Sequence, residues 1–382
     1  ATPTNGTVSA GSATIVTSPT TVDINQQSRR AIVDWGSFNI QQGETTNFNQ
    51  PSASSITLNR VHDPNPSAIA GSLHANGNVI LVNPNGVFFQ KGSQVDVNGL
   101  IATTADTSNK DFMKGKTIFT VPGNPNGTVS NAGVITAKQA GLVGLVAPNV
   151  ENSGTINAKL GKVTLGSGDT FTMDMYGDGL INIGVSDAVK QQVVSQSGVI
   201  NAAGGTIQLN AVAGRTAVNS LIKVSGEINA PVLQQRGGKI IISAQGSNAV
   251  TGNVTVNKGA KTGSSAVEVS GVLDVSGKGA GQKGGLVEIT GDNVNLRNGT
   301  RIDASGAAGG GTVRVGGDFH GAGRTPTARR TLMQQDVFIN ADAITDGTGG
   351  KVTLWADDHT DFFGNISVRG GAAGGNGGFV ET

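Results

Sequence analysis

Asp357-Asp358-His359-Thr360-Asp361 is the densest group of ionisable side chains in this 382-residue sequence, and it could hold a metal ion. Three carboxylates and an imidazole within five residues are suitable ligands, although one short acidic turn also reads as a solvated loop. Elsewhere the carboxylates that could serve as acid and base on a glycosidic bond are Asp274, Glu288, Asp292, Asp303 and Asp318. They fall in different segments with no shared offset, and one Tyr and two Trp leave little material for a sugar-stacking cleft. His62, His74 and His320 have no metal-ligand spacing, and no Ser-His-Asp arrangement is readable. Gly374-Gly375-Asn376-Gly377-Gly378 lacks the Lys and Ser/Thr of a phosphate loop and the Asp of a calcium-binding nonapeptide. Arg324, Arg329 and Arg330, near Pro326, read as an exposed loop or as a contact for an anionic partner. These residues point away from catalysis and imply no metal or cofactor. An open groove with two convergent carboxylates would revive an enzyme.

The more informative residues are Asn83, Pro84, Asn85 and Gly86, which join two apolar runs, 79–82 and 87–89. In a type I turn Asn83 can cap its own backbone, Pro84 pre-sets φ at the second position, Asn85 tolerates the third and Gly86 suits the fourth. A second Asn-Pro-Asn-Gly, at 124–127, reads as an ordinary turn.

The elements around these turns are short strands. From about residue 130 a unit of the form Gly-x-aliphatic-polar-small recurs, with glycines at 133, 154, 198, 226, 271 and 299. A second unit, paired glycines followed by an apolar-polar-apolar strand, interleaves with it, as in Gly205-Thr206-Ile207-Gln208-Leu209 and Gly350-Lys351-Val352-Thr353-Leu354. Period-two strands of about five residues cannot bury an apolar face alone, but stacked rungs can. The economical solution is an all-β, right-handed parallel β-helix of ~15–17 rungs, on the order of 75 Å long. Residues 186–195, with Ser186 as N-cap, are the best candidate for a helix.

Composition agrees. Gly reaches 59 residues and charged residues only 14%, yet 36% hydrophobic residues are enough for a core. Lys plus Arg (27) balances Asp plus Glu (26), so no global field favours nucleic acid or an anionic membrane. No run is long enough to insert in a membrane as a helix. No cysteine occurs, so no disulfide could lock the fold in an oxidising compartment. The chain opens Ala-Thr-Pro-Thr, as after signal-peptide removal, and stops inside a repeat, as in a fragment of a longer protein.

Four segments in order carry a resemblance over roughly the first quarter of the chain. They are Trp35-Gly36-Ser37-Phe38-Asn39-Ile40, then Leu58-Asn59-Arg60-Val61 with Asn65-Pro66-Ser67-Ala68-Ile69, then Asn83-Pro84-Asn85-Gly86, then Val95-Asp96-Val97-Asn98-Gly99-Leu100. They resemble the secretion domain of two-partner secretion exoproteins, the filamentous-haemagglutinin-like adhesins of Gram-negative bacteria. Asn47-Phe48-Asn49-Gln50 stands where the archetypal haemagglutinins carry Asn-Pro-Asn-Leu, which resembles the high-molecular-weight adhesin and haem-acquisition subclass.

The resemblance implies a secretion domain at 1–240, with a cap at about 1–60, and continuing shaft repeats at 241–382. It implies recognition by the POTRA domains of a dedicated outer-membrane β-barrel transporter, then passage outward and folding as a secreted or cell-surface monomer. Asn83, Pro84, Asn85 and Gly86 become the secretion motif, with Asn59 and Arg60 as secondary candidates and Trp35 and Phe38 as cap core. Two roles for the motif stay open, contact with the transporter and stabilisation of the turn that lets the cap fold. A second function, binding a host or matrix glycan or protein such as a haem carrier, would use the insertions at 110–127 and 171–184.

Overall fold

The computed structural model describes residues 2–173, 180–212, 219–245 and 265–382. Short strands with Ile or Val at alternate positions have one apolar face and no partner within their own rung. Each therefore pairs with the rung before and the rung after. Three long sheets result, of thirteen, ten and thirteen strands, here sheets I, II and III. Each rung visits them in turn, as in Asn78–Val82 (I), Val87–Phe89 (II) and Gln94–Val97 (III). Neighbouring rungs are parallel and in register, so the expected parallel β-helix is the fold.

The first repeat unit explains the register. Val95, Ile135, Ile156, Ile200, Ile228, Leu273, Ile302 and Ile339 are successive partners in sheet III. All are buried in one continuous core, and truncating one to Ala would cost about 2–5 kcal/mol. Beside them runs a polar ladder in which Asn201 donates to Asn157 Oδ1 and Asn229 to Asn201 Oδ1, both at 3.0 Å. The glycines of the unit are required by close approach: a Cβ on Gly154, Gly198, Gly226 or Gly271 would overlap the carbonyl oxygen of the glycine one rung earlier. Gly299 does not belong to that column. Val272 pairs with Arg301, which places Thr300 opposite Gly271. Gly299 instead turns the chain one residue earlier, at φ +93°.

Sheet I differs along its length. Ile32, Leu58, Ile80 and Ile101 are successive partners on its outer face, buried in a second core. They are covered by the helix Asn109–Met113 and a three-stranded antiparallel sheet of Ile118–Phe119, Thr170–Met173 and Ile181–Gly184. Phe119 and Phe171 stack there at 4.6 Å, and Gly144 and Gly166 leave room for Ile181 and Ile183. Among the described residues this cover reaches as far as Gln208, whose side chain bonds Thr164 Oγ1 (3.1 Å) and both main-chain groups of Ile181 (3.4 Å each).

At the N-terminal end, Thr7–Ala10 and Ala13–Thr17 run antiparallel to Arg30–Trp35 and Thr21–Gln26 and close the rod. Parallel pairing then continues in sheet I without interruption through Lys239–Gln245 to Phe379–Glu381.

Two expectations are corrected. Sheet I has twelve parallel rungs among the described residues, not 15–17, and a rod nearer 55 Å. The ~22-residue unit underestimates rungs that carry long excursions, such as the one between Gly99–Thr103 and Thr128–Asn131. Residues 186–195 form no helix: a turn leads into the strand Gln191–Gln196, whose alternating burial puts Gln192, Val194 and Gln196 inside. The one α-helix among the described residues, Asn109–Met113, is capped by Ser108, whose hydroxyl accepts the Asp111 N–H at 3.1 Å.

Candidate functional site

Asn83, Pro84, Asn85 and Gly86 form the corner between sheets I and II. The turn closes with Gly86 N–H on Asn83 O at 2.9 Å, and Asn83 Oδ1 accepts Asn85 N–H at 3.0 Å. Gly86 sits at φ +114°, with the Thr128 carbonyl where a Cβ would lie. Asn83 is fully buried. Its amide donates to Asn65 O at 3.1 Å and Ser67 Oγ at 3.0 Å, while Asn85 donates to Asp63 O at 2.8 Å. The motif's two asparagines are thus spent on the preceding rung, and Pro84 and Asn85 are half-buried.

That preceding rung carries the same device. Asp63-Pro64-Asn65 is an Asx turn in which Asp63 Oδ1 accepts Asn65 N–H at 2.9 Å. On the following rung Asn124 Oδ1 accepts Asn126 N–H at 2.9 Å, and Asn124 N–H donates to Pro84 O at 2.8 Å. Three Asx-Pro-Asn turns are therefore stacked at one corner of the rod. The second Asn-Pro-Asn-Gly is a turn, as its residues suggest, but it is also the next layer of the first. The recurrence of Asx-Pro-Asn at 63, 83 and 124 is the signal that would have found it.

Asn59 and Arg60 are adjacent in the strand Ile56–Val61 and serve opposite faces. Asn59 is buried and accepts Trp35 Nε1–H at 2.9 Å. Trp35 meets Phe38 edge-on at 5.6 Å, and Phe38 stacks on Phe48 at 6.5 Å. All three rings are buried under the cap. Phe48 lies in Thr45–Asn49, where Asn47 bonds Asp23 and Asn49 bonds Asn25, both at 2.9 Å.

Arg60 points outward and ties three segments together. Its Nε donates to both Asp106 oxygens (3.1 and 2.8 Å), one terminal nitrogen to Asp34 Oδ1 (3.3 Å) and the other to Thr107 O (2.9 Å). His62 Nε2 lies 2.8 Å from the same Asp34 oxygen. Burial alone would raise the Asp34 pKa. Hydrogen bonds from Ser9, His62 and Arg60, with the Arg60 charge, outweigh it and hold the carboxyl below its ordinary value of 3.8. Asp34 and Asp106 carried no sequence signal of this role.

The insertions expected to bind a ligand also pack part of their length on the shaft. Phe112, Phe119, Phe171, Met173, Ile181 and Ile183 are buried against sheet I, so these segments face the shaft. Residues 174–179 of the second insertion lie outside the described residues. The expectation of unrelated carboxylates is also corrected: Asp274 and Asp303 are direct register partners. Each continues the asparagine column and caps the turn after it, accepting Ser276 N–H (2.8 Å) and Ser305 N–H (2.9 Å). Glu288 pairs with Arg314, which also meets Asp318. In the acidic cluster Asp357 accepts from Thr327 and Trp355, Asp358 meets Arg329, and Asp361 meets His359. Arg330 belongs to the sheet II strand Arg330–Met333 rather than to a loop.

A family model described as the TPS secretion domain matches residues 1–248. Two heme/hemopexin-binding proteins of Haemophilus influenzae are similar, one 35% identical over 253 residues and the other 32% identical over 254. These alignments take in 63% and 60% of this chain, and 27% of the length of each relative. The chain thus spans about a quarter of the curated relatives it matches. The crystal structure of the HMW1 secretion domain from Haemophilus influenzae matches with a TM-score of 0.82 at 28% identity, covering 100% of this chain and 94% of that one.

Proposed function

This chain belongs to the TPS secretion domain family and carries the secretion domain of a two-partner secretion exoprotein; from that premise we propose that the stacked Asx-Pro-Asn corners make its first rungs fold as the chain leaves the cell. In this reading a dedicated outer-membrane β-barrel transporter recognises the domain through its POTRA domains and passes the chain outward. Each rung that forms outside buries a new layer of Ile and Val and resists backsliding, needing only its predecessor as template. The supporting observation is that Asn83 and Asn85 direct their amides onto the rung before, at Asn65, Ser67 and Asp63. The motif then acts through folding, and its side chains are not the transporter's main contact. Asn59 and Arg60 act in the same way, one holding Trp35 and the other joining Asp34 of the cap strand to Asp106 and Thr107. We assign residues 1–240 to secretion and 241–382 to the shaft, and no step of the proposal is catalytic.

Co-expression with the partner transporter tests this. Asn83→Ala and Asn85→Ala should be exported less in proportion to their loss of thermal stability. Normal export of both folded variants means the motif is wrongly assigned. Poor export with unchanged stability transfers the role to direct contact.

A second reading concerns the whole exoprotein. Because two relatives are named heme/hemopexin-binding proteins, we propose a haem-carrying host protein as its ligand ahead of a matrix glycan. Calorimetric titration of the full-length exoprotein with hemopexin checks it, and no heat of binding at micromolar concentrations rejects it.

A further inference from the structure

The two strands that close the rod differ in how they are protected. An edge strand offers unpaired N–H and C=O groups to any other strand, and natural edges are blunted by charge, proline or a bulge. The sheet I edge, Thr7–Ala10, has such a bulge, since its register with Arg30–Trp35 shifts between Val8 and Ala10. The sheet III edge, Ala13–Thr17, has none of these. Its five pairs with Thr21–Gln26 run without a shift. No charged residue occurs before Asp23, and Pro19 lies beyond the strand.

The orientation of this edge follows from its ladder. Gln27 N–H bonds Ser12 O at 2.9 Å and Ser18 N–H bonds Thr21 O at 2.8 Å. In an antiparallel pair the bonded positions alternate, so Thr14 and Val16 face the neighbouring strand. Ala13, Ile15 and Thr17 present their backbone groups to the open side, where sheet III has no further strand among the described residues. Thr14 and Thr17 are exposed, and Val16 is 56% exposed, among the most exposed large hydrophobic residues described.

We propose that Ala13–Thr17 is a docking edge for the same strand of a second copy of this chain, giving a weak head-to-head dimer. Paired antiparallel about Ile15, the strand is complementary to itself: Ala13 faces Thr17, Thr14 faces Val16, and Ile15 faces Ile15 of the other copy. No like charges are opposed, Val16 is covered by a threonine, and three backbone pairs exchange hydrogen bonds. A formal net charge of +1 provides little long-range repulsion between copies. One short strand buries far less than the ~1,000 Å² of a stable interface. The dimer is therefore reversible, with a dissociation constant on the order of 10 μM to 1 mM, in contrast to the monomer expected from sequence.

Sedimentation equilibrium of the 382-residue chain from about 5 to about 500 μM reads this directly. The mass should rise from 38.4 kDa towards twice that value. Thr14→Lys and Val16→Lys alter exposed side chains and should keep the fold by circular dichroism while weakening dimerisation at least tenfold. Thr7→Lys, on the bulged edge, should leave it unchanged. A mass of 38.4 kDa throughout overturns the proposal, as does a dimer that survives both edge lysines or is lost equally with Thr7→Lys. A chain that stays monomeric but binds the transporter's periplasmic domain through an interaction broken by Val16→Lys also overturns it, and assigns the edge to that partner.

Discussion

Asn85 donates its side-chain amide to the main-chain carbonyl of Asp63, one rung earlier, at 2.8 Å. With Asn83 on Asn65 O and Ser67 Oγ, the motif grips the rung that folds before it. Asn83→Ala strands buried partners and should cost about 2–3 kcal/mol. Asn85→Ala, half-buried, should cost about 1 kcal/mol, and the exposed Asn126→Ala one layer on should stay within ~0.5 kcal/mol. Urea midpoints rank the three, and equal losses for Asn83→Ala and Asn126→Ala would contradict the corner as described.

Trp35 and Asn59 form a buried pair, the indole N–H donating at 2.9 Å. Asn59→Leu alone leaves that N–H without a partner and should destabilise by about 2–3 kcal/mol. Trp35→Phe alone leaves Asn59 Oδ1 without its donor, while the Asn59 amide keeps its bonds to Thr57 O and Ile80 O. The double variant removes both polar groups and should recover about 1–2 kcal/mol relative to the sum of the singles. Additive losses in a double-mutant cycle would mean that the bond contributes nothing.

How legible these features are in the sequence depends on how local their physics is. The Gly-x-Ile-polar-Ala unit announces its rung because the residue that fits one layer is the residue that fits the next. Ile156 over Ile135 and Asn201 over Asn157 are the same choice repeated. The unbroken apolar run at 79–82 is informative too, for strands buried on both faces lose their alternation. Its outer cover, supplied by Phe119 and Phe171 from distant segments, has no local mark. Residues 186–195 read as a helix in sequence because Gln191 to Gln196 mixes helix-forming glutamines with a strand's alternation, and pairing with Asn149–Asn152 decides for the strand. Arg60 had a place in the candidate site, but its partners Asp34 and Asp106 lie 26 and 46 residues away.

The glycine column makes a prediction about cooperativity. Gly198→Ala places a methyl on the Gly154 carbonyl oxygen. Relief requires two rungs to separate, so the cost should exceed ~3 kcal/mol. Gly92→Ala meets nothing within 4 Å and bears only the strain of φ +90°, about 1 kcal/mol. Hydrogen exchange should show Gly198→Ala loosening Thr155–Asn157 and Glu227–Asn229 on either side. Protection unchanged in both strands would show that the contact is relieved within one turn.

Asp34 should make the cap sensitive to acid. Its folded pKa lies below the ordinary 3.8, so its stabilising contribution is complete above that value and is lost as pH falls through the lower, folded value. Asp342 has the same sign near the other end. Burial there raises its pKa, and bonds from Ser367 and Arg369 with the Arg369 charge lower it further than burial raises it. Between pH 7 and 5 the melting temperature should hardly respond to either group, and below about pH 4 it should fall. Asp34→Asn keeps the shape but loses the carboxylate charge that, together with Asp106, faces the Arg60 guanidinium. It should lower the melting temperature at pH 7 and flatten the acid limb, bringing the two curves together as pH falls through the lowered, folded pKa of Asp34. Raised salt should narrow the difference only slightly, because the Arg60 and Asp34 side chains are 13% and 23% exposed. Melting curves for wild type and Asp34→Asn that stay parallel from pH 7 down to full acid unfolding would remove Asp34 from the acid response.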